Sequence, residues 1–211
     1  MLPRFKLVLE ESPRTYYELR GPAVSAEMLI IAITGMPGAG KTTAAQALEG
    51  LGLKRIAMGD MIREETTRRG LPLDDKNMGD VMREMRAKYG AGAVAELCLL
   101  AIKARDGSAV VIDGIRSVAE IAVFRRAGDV RLIAVLASPA RRFELLTARG
   151  RTDAPPDLES FRARDERELS IGIGDAIALA DEAIVNERIT PQELEESALR
   201  IASGWMKTVG S

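Results

Sequence analysis

The run Gly35-Met36-Pro37-Gly38-Ala39-Gly40-Lys41-Thr42, followed by Thr43, fits the spacing G-x-x-x-x-G-K-[ST]. Glycines at those positions let successive backbone N–H groups curl round an anion, and the adjoining helix N-terminus adds positive potential. The ammonium of Lys41 can then bridge two neighbouring phosphates, while the Thr42 hydroxyl is a hard oxygen donor suited to Mg²⁺. The chemistry predicted for Gly35 to Thr43 is therefore binding of ATP or GTP with Mg²⁺. A chance glycine-rich turn would share the letters, but this one sits directly after an apolar run and directly before a helical pattern, the setting the motif requires. Asp113 ends the run VVID. An acid at the C-terminal edge of a strand can hold the metal directly or through water, which makes Thr42 and Asp113 the candidate metal ligands.

The rest of the inventory narrows the reaction. The chain has no histidine, which removes His-based triads and histidine metal sites. Phosphoryl transfer suits the Lys, Arg, Asp and Glu that remain, because its catalysis is mostly positioning and charge stabilisation. A formal net charge of -1 gives no general pull towards nucleic acid or membrane phosphates, so neither is expected as a partner. The single cysteine, Cys98, lies in the apolar run AELCLLAI and reads as a buried thiol in a reducing compartment. With no membrane-length apolar stretch and no signal-peptide run, the expected location is the cytoplasm.

These groups need a scaffold, and the hydrophobic pattern supplies one. Leu29 to Thr34, Lys54 to Met58, Ala109 to Asp113, Arg131 to Leu136 and Ala183 to Val185 read as strands apolar on both faces, as a parallel sheet covered by helices requires. Between them lie helical patterns at Lys41 to Glu49, Asp60 to Arg69, about Lys76 to Arg105 as a pair, Val118 to Ala127 and Pro139 to Ala148. Ser138-Pro139 supplies an N-cap and a first-turn proline; Thr190-Pro191 with Glu193 starts a last helix running to about Met206. The alternation predicts an α/β doubly wound fold of one domain over 28–211. Residues 1–27, broken by Pro3, Pro13 and Gly21-Pro22, read as an N-terminal appendage, with Met28 as an alternative start.

The phosphate loop, MxGDMIR at Met58 to Arg63, DGIR at Asp113 to Arg116 and the arginine-rich stretch Arg149 to Arg167 together resemble the adenylate kinase and nucleoside monophosphate kinase group. The closest resemblance is to an archaeal family of uncharacterised adenylate-kinase-related P-loop proteins. It implies a P-loop NTPase fold with five parallel strands in the order 2-3-1-4-5, helices on both faces, acceptor-covering helices over about 60–105 and a short lid over about 149–168. It also implies that Arg63 and Arg116 grip the phosphate of an acceptor, with Asp60 fixing that corner at the end of the second strand. Two guanidiniums can neutralise a monophosphate and orient its oxygen for in-line attack. Arg149, Arg151, Arg164 and Arg167 are similar to the lid arginines of such kinases, and Arg149, Arg151 and Arg167 are the ones expected on the nucleotide or the transferring group.

Departures from adenylate kinase matter for the acceptor. DGIR lacks the proline of DGFPR, and Glu120 stands where a glutamine reads the adenine of AMP. A carboxylate there could accept from guanine or cytosine, or simply be an exposed helix residue. Arg164 and Arg167 share a helix face and repel unless an anion or acid lies between them; the bland alternative is a salt-bridged solvent face. Met78, Met82 and Met85, at helical spacing, are either core packing or a flexible wall for a larger acceptor such as dephospho-coenzyme A. The expected function is a Mg²⁺- and ATP- (or GTP-) dependent kinase acting on a phosphorylated small molecule, with Lys41, Arg116, Arg149, Arg151 and Arg167 in catalysis. A nucleotide-gated interaction protein with slow NTPase activity, using a surface near Tyr16 and Tyr17, is the alternative. The oligomeric state has no sequence signal.

Overall fold

The computed structural model describes residues 28–103, 108–150 and 154–209. The expected appendage at 1–27 and Arg151 lie outside the described residues. Strands β1 (Leu29–Thr34), β2 (Lys54–Ala57), β3 (Ala109–Ile115), β4 (Asp129–Leu136) and β5 (Glu182–Val185) form one five-stranded sheet in the order β2-β3-β1-β4-β5. Every pairing is parallel. This puts β1, which leads into the phosphate loop, at the centre beside the strand of Asp113.

Central position explains the composition of β1, in which all residues are buried. Leu29, Ile31 and Ile33 enter one core with Ala44, Ala45 and Leu48 of α1 (Lys41–Glu49) and Leu194, Ala198 and Ala202 of α9 (Pro191–Val209). Ile30 and Ala32 enter the other. That second core is covered by α2 (Met58–Arg68), α3 (Asp75–Tyr89), α4 (Ala93–Lys103) and α5 (Val118–Arg125). The alternation is the two-residue period of a strand buried on both faces.

Three details differ from the sequence expectations. β2 stops at Ala57 and α2 starts at Met58, so Asp60 sits in the first turn of a helix rather than at a strand end. β3 runs two residues past Asp113, with a register shift opposite Ile33 and Thr34. Gly114, at φ 105, makes this irregularity possible, and the Thr34 hydroxyl donates to the Ile115 carbonyl at 2.8 Å to close it. A short helix, α8 (Ile173–Ala178), follows α7 (Leu158–Ile171), and no expectation covered it.

Candidate functional site

Between the β1 end and α1, the loop is shaped by close packing. Gly35 has φ 142, and a Cβ there would meet the Val135 carbonyl oxygen at 2.2 Å, so only glycine lets the loop leave the sheet. Lys41 turns back along the loop and donates to the Gly35 carbonyl at 2.7 Å and the Met36 carbonyl at 3.1 Å. Burial drives the Lys41 ammonium down from its ordinary value to about 8; Asp113 opposes this and Arg116 adds to it. The α1 N-terminus is capped by Gly40 with no side-chain acceptor and no acid in its first turn. By contrast Asp74, Ser117, Ser138 and Asp157 each cap a helix with a side-chain oxygen. The amides of α1 thus keep positive potential directed at the loop.

Two clefts meet at this loop. The larger, about 640 Å³, is bordered by Pro37, Gly38, Lys41 and Thr42 and, across from them, by Asp60, Arg63, Asp113 and Arg116. The smaller, about 460 Å³, shares Gly38, Lys41 and Thr42, adds Gly40 and Thr43, and runs between α6 (Pro139–Arg149) and the start of α9. Arg149 borders both. Arg164 borders the larger cleft, as does Arg55, whose Nη1 lies 3.3 Å from Asp113 Oδ2. Asp60 and Arg63 pair at 2.8 Å.

Two expected site residues stand elsewhere. Glu120 is fully buried, neither on the cleft wall nor solvent-exposed: its Oε2 takes the Arg116 backbone N–H at 2.7 Å and its Oε1 takes Arg86 Nη2 at 2.6 Å. Both oxygens are engaged inside the protein, where the carboxylate holds the DGIR loop. Arg167 points to Asp75 at 2.5 Å, and Arg164 Nε lies 3.4 Å from the same carboxylate. Asp75, from α3, is the acid that lets the two guanidiniums share a face. Met82 and Met85 belong to the core, while Met78 reaches the cleft wall and Met82 Sδ lies 2.7 Å from Arg116 Nη1.

Residues 34–162 match the AAA domain family. A UPF0200 protein of Hyperthermus butylicus is 42% identical over 178 residues, 84% of this chain and 95% of the relative. A UPF0200 protein of Methanocaldococcus jannaschii is 45% identical over 163 residues, 76% of this chain and 83% of the relative. The chain belongs to the UPF0200 family. Among solved structures, TT1252 from Thermus thermophilus aligns with a TM-score of 0.58 at 20% identity, over 84% of this chain and 97% of that one. Shikimate kinase from Acinetobacter baumannii, solved in complex with shikimate, aligns with a TM-score of 0.57 at 16% identity, over 85% of this chain and 95% of that one. At these identities the likeness is one of fold, that of a P-loop kinase.

This UPF0200 protein also uses residues that sequence reasoning missed. Arg142, 3% exposed, places both terminal nitrogens on Asp165 at 2.7 and 2.6 Å, and donates to the Pro37 carbonyl at 3.2 Å. It ties α7 to the phosphate loop. Asn186, just past β5, donates to the Ala39 carbonyl at 2.9 Å and backs the loop from the other side. Neither has a local signal, since each partner is remote in sequence. Glu168 of α7 lies 3.4 Å from Arg116 Nε. Among the described residues no group of three or more Cys, Asp or Glu side chains is placed to hold a metal. The oxygens of Thr42 and Asp113 at the cleft fit an ion that brings phosphate ligands with it, as Mg²⁺ does. No helix among the described residues is long and apolar enough to cross a membrane.

Proposed function

We propose that this protein is a kinase that moves the γ-phosphoryl group of ATP or GTP to a small molecule already carrying a phosphate. The observation that carries the reading is the pair of clefts meeting at one P-loop, the larger with Arg63 and Arg116 on the wall facing Lys41. The smaller cleft takes the nucleoside end of the donor, and the loop amides with Lys41 take its phosphates. Mg²⁺ held by Thr42 and Asp113 would neutralise charge on the β- and γ-phosphates. Arg63 and Arg116 clamp the acceptor phosphate and aim its nucleophilic oxygen at the γ-phosphorus. As that oxygen bonds to phosphorus, the bond to the bridging oxygen breaks and the nucleoside diphosphate leaves. Arg149 and Arg164 border the path of the transferring group. Asp60 holds Arg63 in its working direction.

The test is a screen of phosphorylated metabolites with labelled ATP and Mg²⁺, followed by Lys41→Ala and Arg116→Ala. Acceptor-dependent ADP release that falls by about 100-fold or more in both variants, with unchanged far-UV circular dichroism, supports the reading. ADP release independent of every acceptor identifies a slow NTPase instead. Full transfer in Arg116→Ala removes the acceptor clamp.

A further inference from the structure

Phosphate binding leaves one group in the larger cleft unexplained. Glu168 is 3% exposed and borders the cleft among cations. Its Oε2 is buried and accepts no hydrogen bond. The Arg116 Nε at 3.4 Å is an ion-pair neighbour and not a hydrogen-bond donor to it. Charge balance alone does not demand this arrangement: one turn earlier on the same helix, Asp165 meets Arg142 through two short hydrogen bonds. A buried carboxylate oxygen left without a donor is costly, and because Glu168 borders the cleft a ligand seated there can supply the donor.

We infer that Glu168 determines specificity, its Oε2 accepting a hydrogen bond from a hydroxyl group of the acceptor molecule. This rests on the reading of Arg116 as the phosphate clamp. The geometry then limits where the hydroxyl lies. Arg116 Nε is 3.4 Å from the carboxylate oxygen. With hydrogen bonds of ordinary length at either end, the donor falls within roughly 9 Å of the acceptor phosphate oxygen. A sugar or polyol hydroxyl a few bonds from the ester meets that limit. The same carboxylate repels a second phosphate or a carboxylate at that position. The acceptor class is therefore a hydroxylated phosphomonoester, such as a sugar phosphate or a ribonucleotide.

The experiment measures, by calorimetry on the full chain saturated with ADP, paired probes that differ only in hydroxyl groups. Ribonucleoside 5′-monophosphates are compared with their 2′,3′-dideoxy forms, and glycerol 3-phosphate with propyl phosphate. Wild type prefers the hydroxylated member of at least one pair by about tenfold or more. Glu168→Leu brings that ratio to near one, and Glu168→Gln, whose amide oxygen still accepts, keeps a reduced preference; ADP heats report that each variant is folded. Because the ratio is taken within a pair, the general gain in anion affinity from removing a negative charge cancels. No preference in wild type, or one that persists undiminished in both variants, overturns the inference while leaving the clamp intact. Loss of all phosphomonoester binding from wild type, or equal binding by Arg116→Ala, overturns the clamp and the inference together.

Discussion

The Glu120 carboxylate accepts the backbone N–H of Arg116 at 2.7 Å, and this bond fixes the loop that aims the Arg116 side chain into the larger cleft. The other oxygen of Glu120 pairs with Arg86 at 2.6 Å, and Glu120 has no exposed surface. Removing one member of such a buried pair strands the other. Glu120→Ala is therefore expected to cost about 3–5 kcal/mol in urea unfolding. Glu120→Leu combined with Arg86→Met replaces both charges with apolar bulk and recovers most of that loss. The double variant still lacks the acceptor for the Arg116 N–H, so its KM for the phosphate acceptor rises while its stability returns. Full recovery of both quantities would show that Glu120 is structural only.

The fold was legible because its signals are local. β1 is buried on both faces, and a run such as LIIAIT has no other reading beside a glycine loop. The phosphate loop was legible because its spacing is the geometry. The pairings around the cleft were not, because they join residues distant in sequence. Arg142 and Asp165 are 23 positions apart, and Arg86 and Glu120 are 34 apart, so no periodicity links them. The expectation sets Arg167 before Arg164 at the nucleotide; in the structure Arg164 borders the larger cleft and Arg167 pairs with Asp75. Three residues along a helix leave two side chains about 60° apart on one face, so the spacing does not rank them. Both guanidiniums meet Asp75, and of the two only Arg164 borders the larger cleft. That an anion or an acid lies between them was legible; that Asp75 is the acid was not.

Arg142 joins the Pro37 carbonyl to Asp165 of α7, and its guanidinium stacks over Phe161 with 5.0 Å to the ring centroid. A lysine cannot reproduce that fork, since an ammonium presents no parallel pair of donors to a carboxylate. Arg142→Lys is expected to cost about 2 kcal/mol or more. Amide hydrogen exchange in α7 should accelerate more than exchange in β1 or β3, because the bond released is the one holding that helix to the loop. Nucleotide affinity should fall with it. Uniform acceleration over the whole sheet would mean a global loss of stability in place of a released helix.

Lys41 provides a pH signature for nucleotide binding. Burial holds its ammonium near 8 in the free protein, where an exposed lysine stays charged to above 10. Phosphate oxygens beside the ammonium favour the charged form, so binding raises the pKa again. Between the two values the complex holds more protons than the free protein. Affinity is then flat below about pH 7 and declines as pH rises through 8, by at most about tenfold per unit. At pH 8, ADP binding should take up about half a proton, read from calorimetry in buffers of different ionisation enthalpy. Lys41→Arg keeps a permanent charge, so it should bind with no such uptake and a flatter profile. Proton release by wild type, or an equal uptake in Lys41→Arg, would place the titrating group elsewhere than at the phosphate loop.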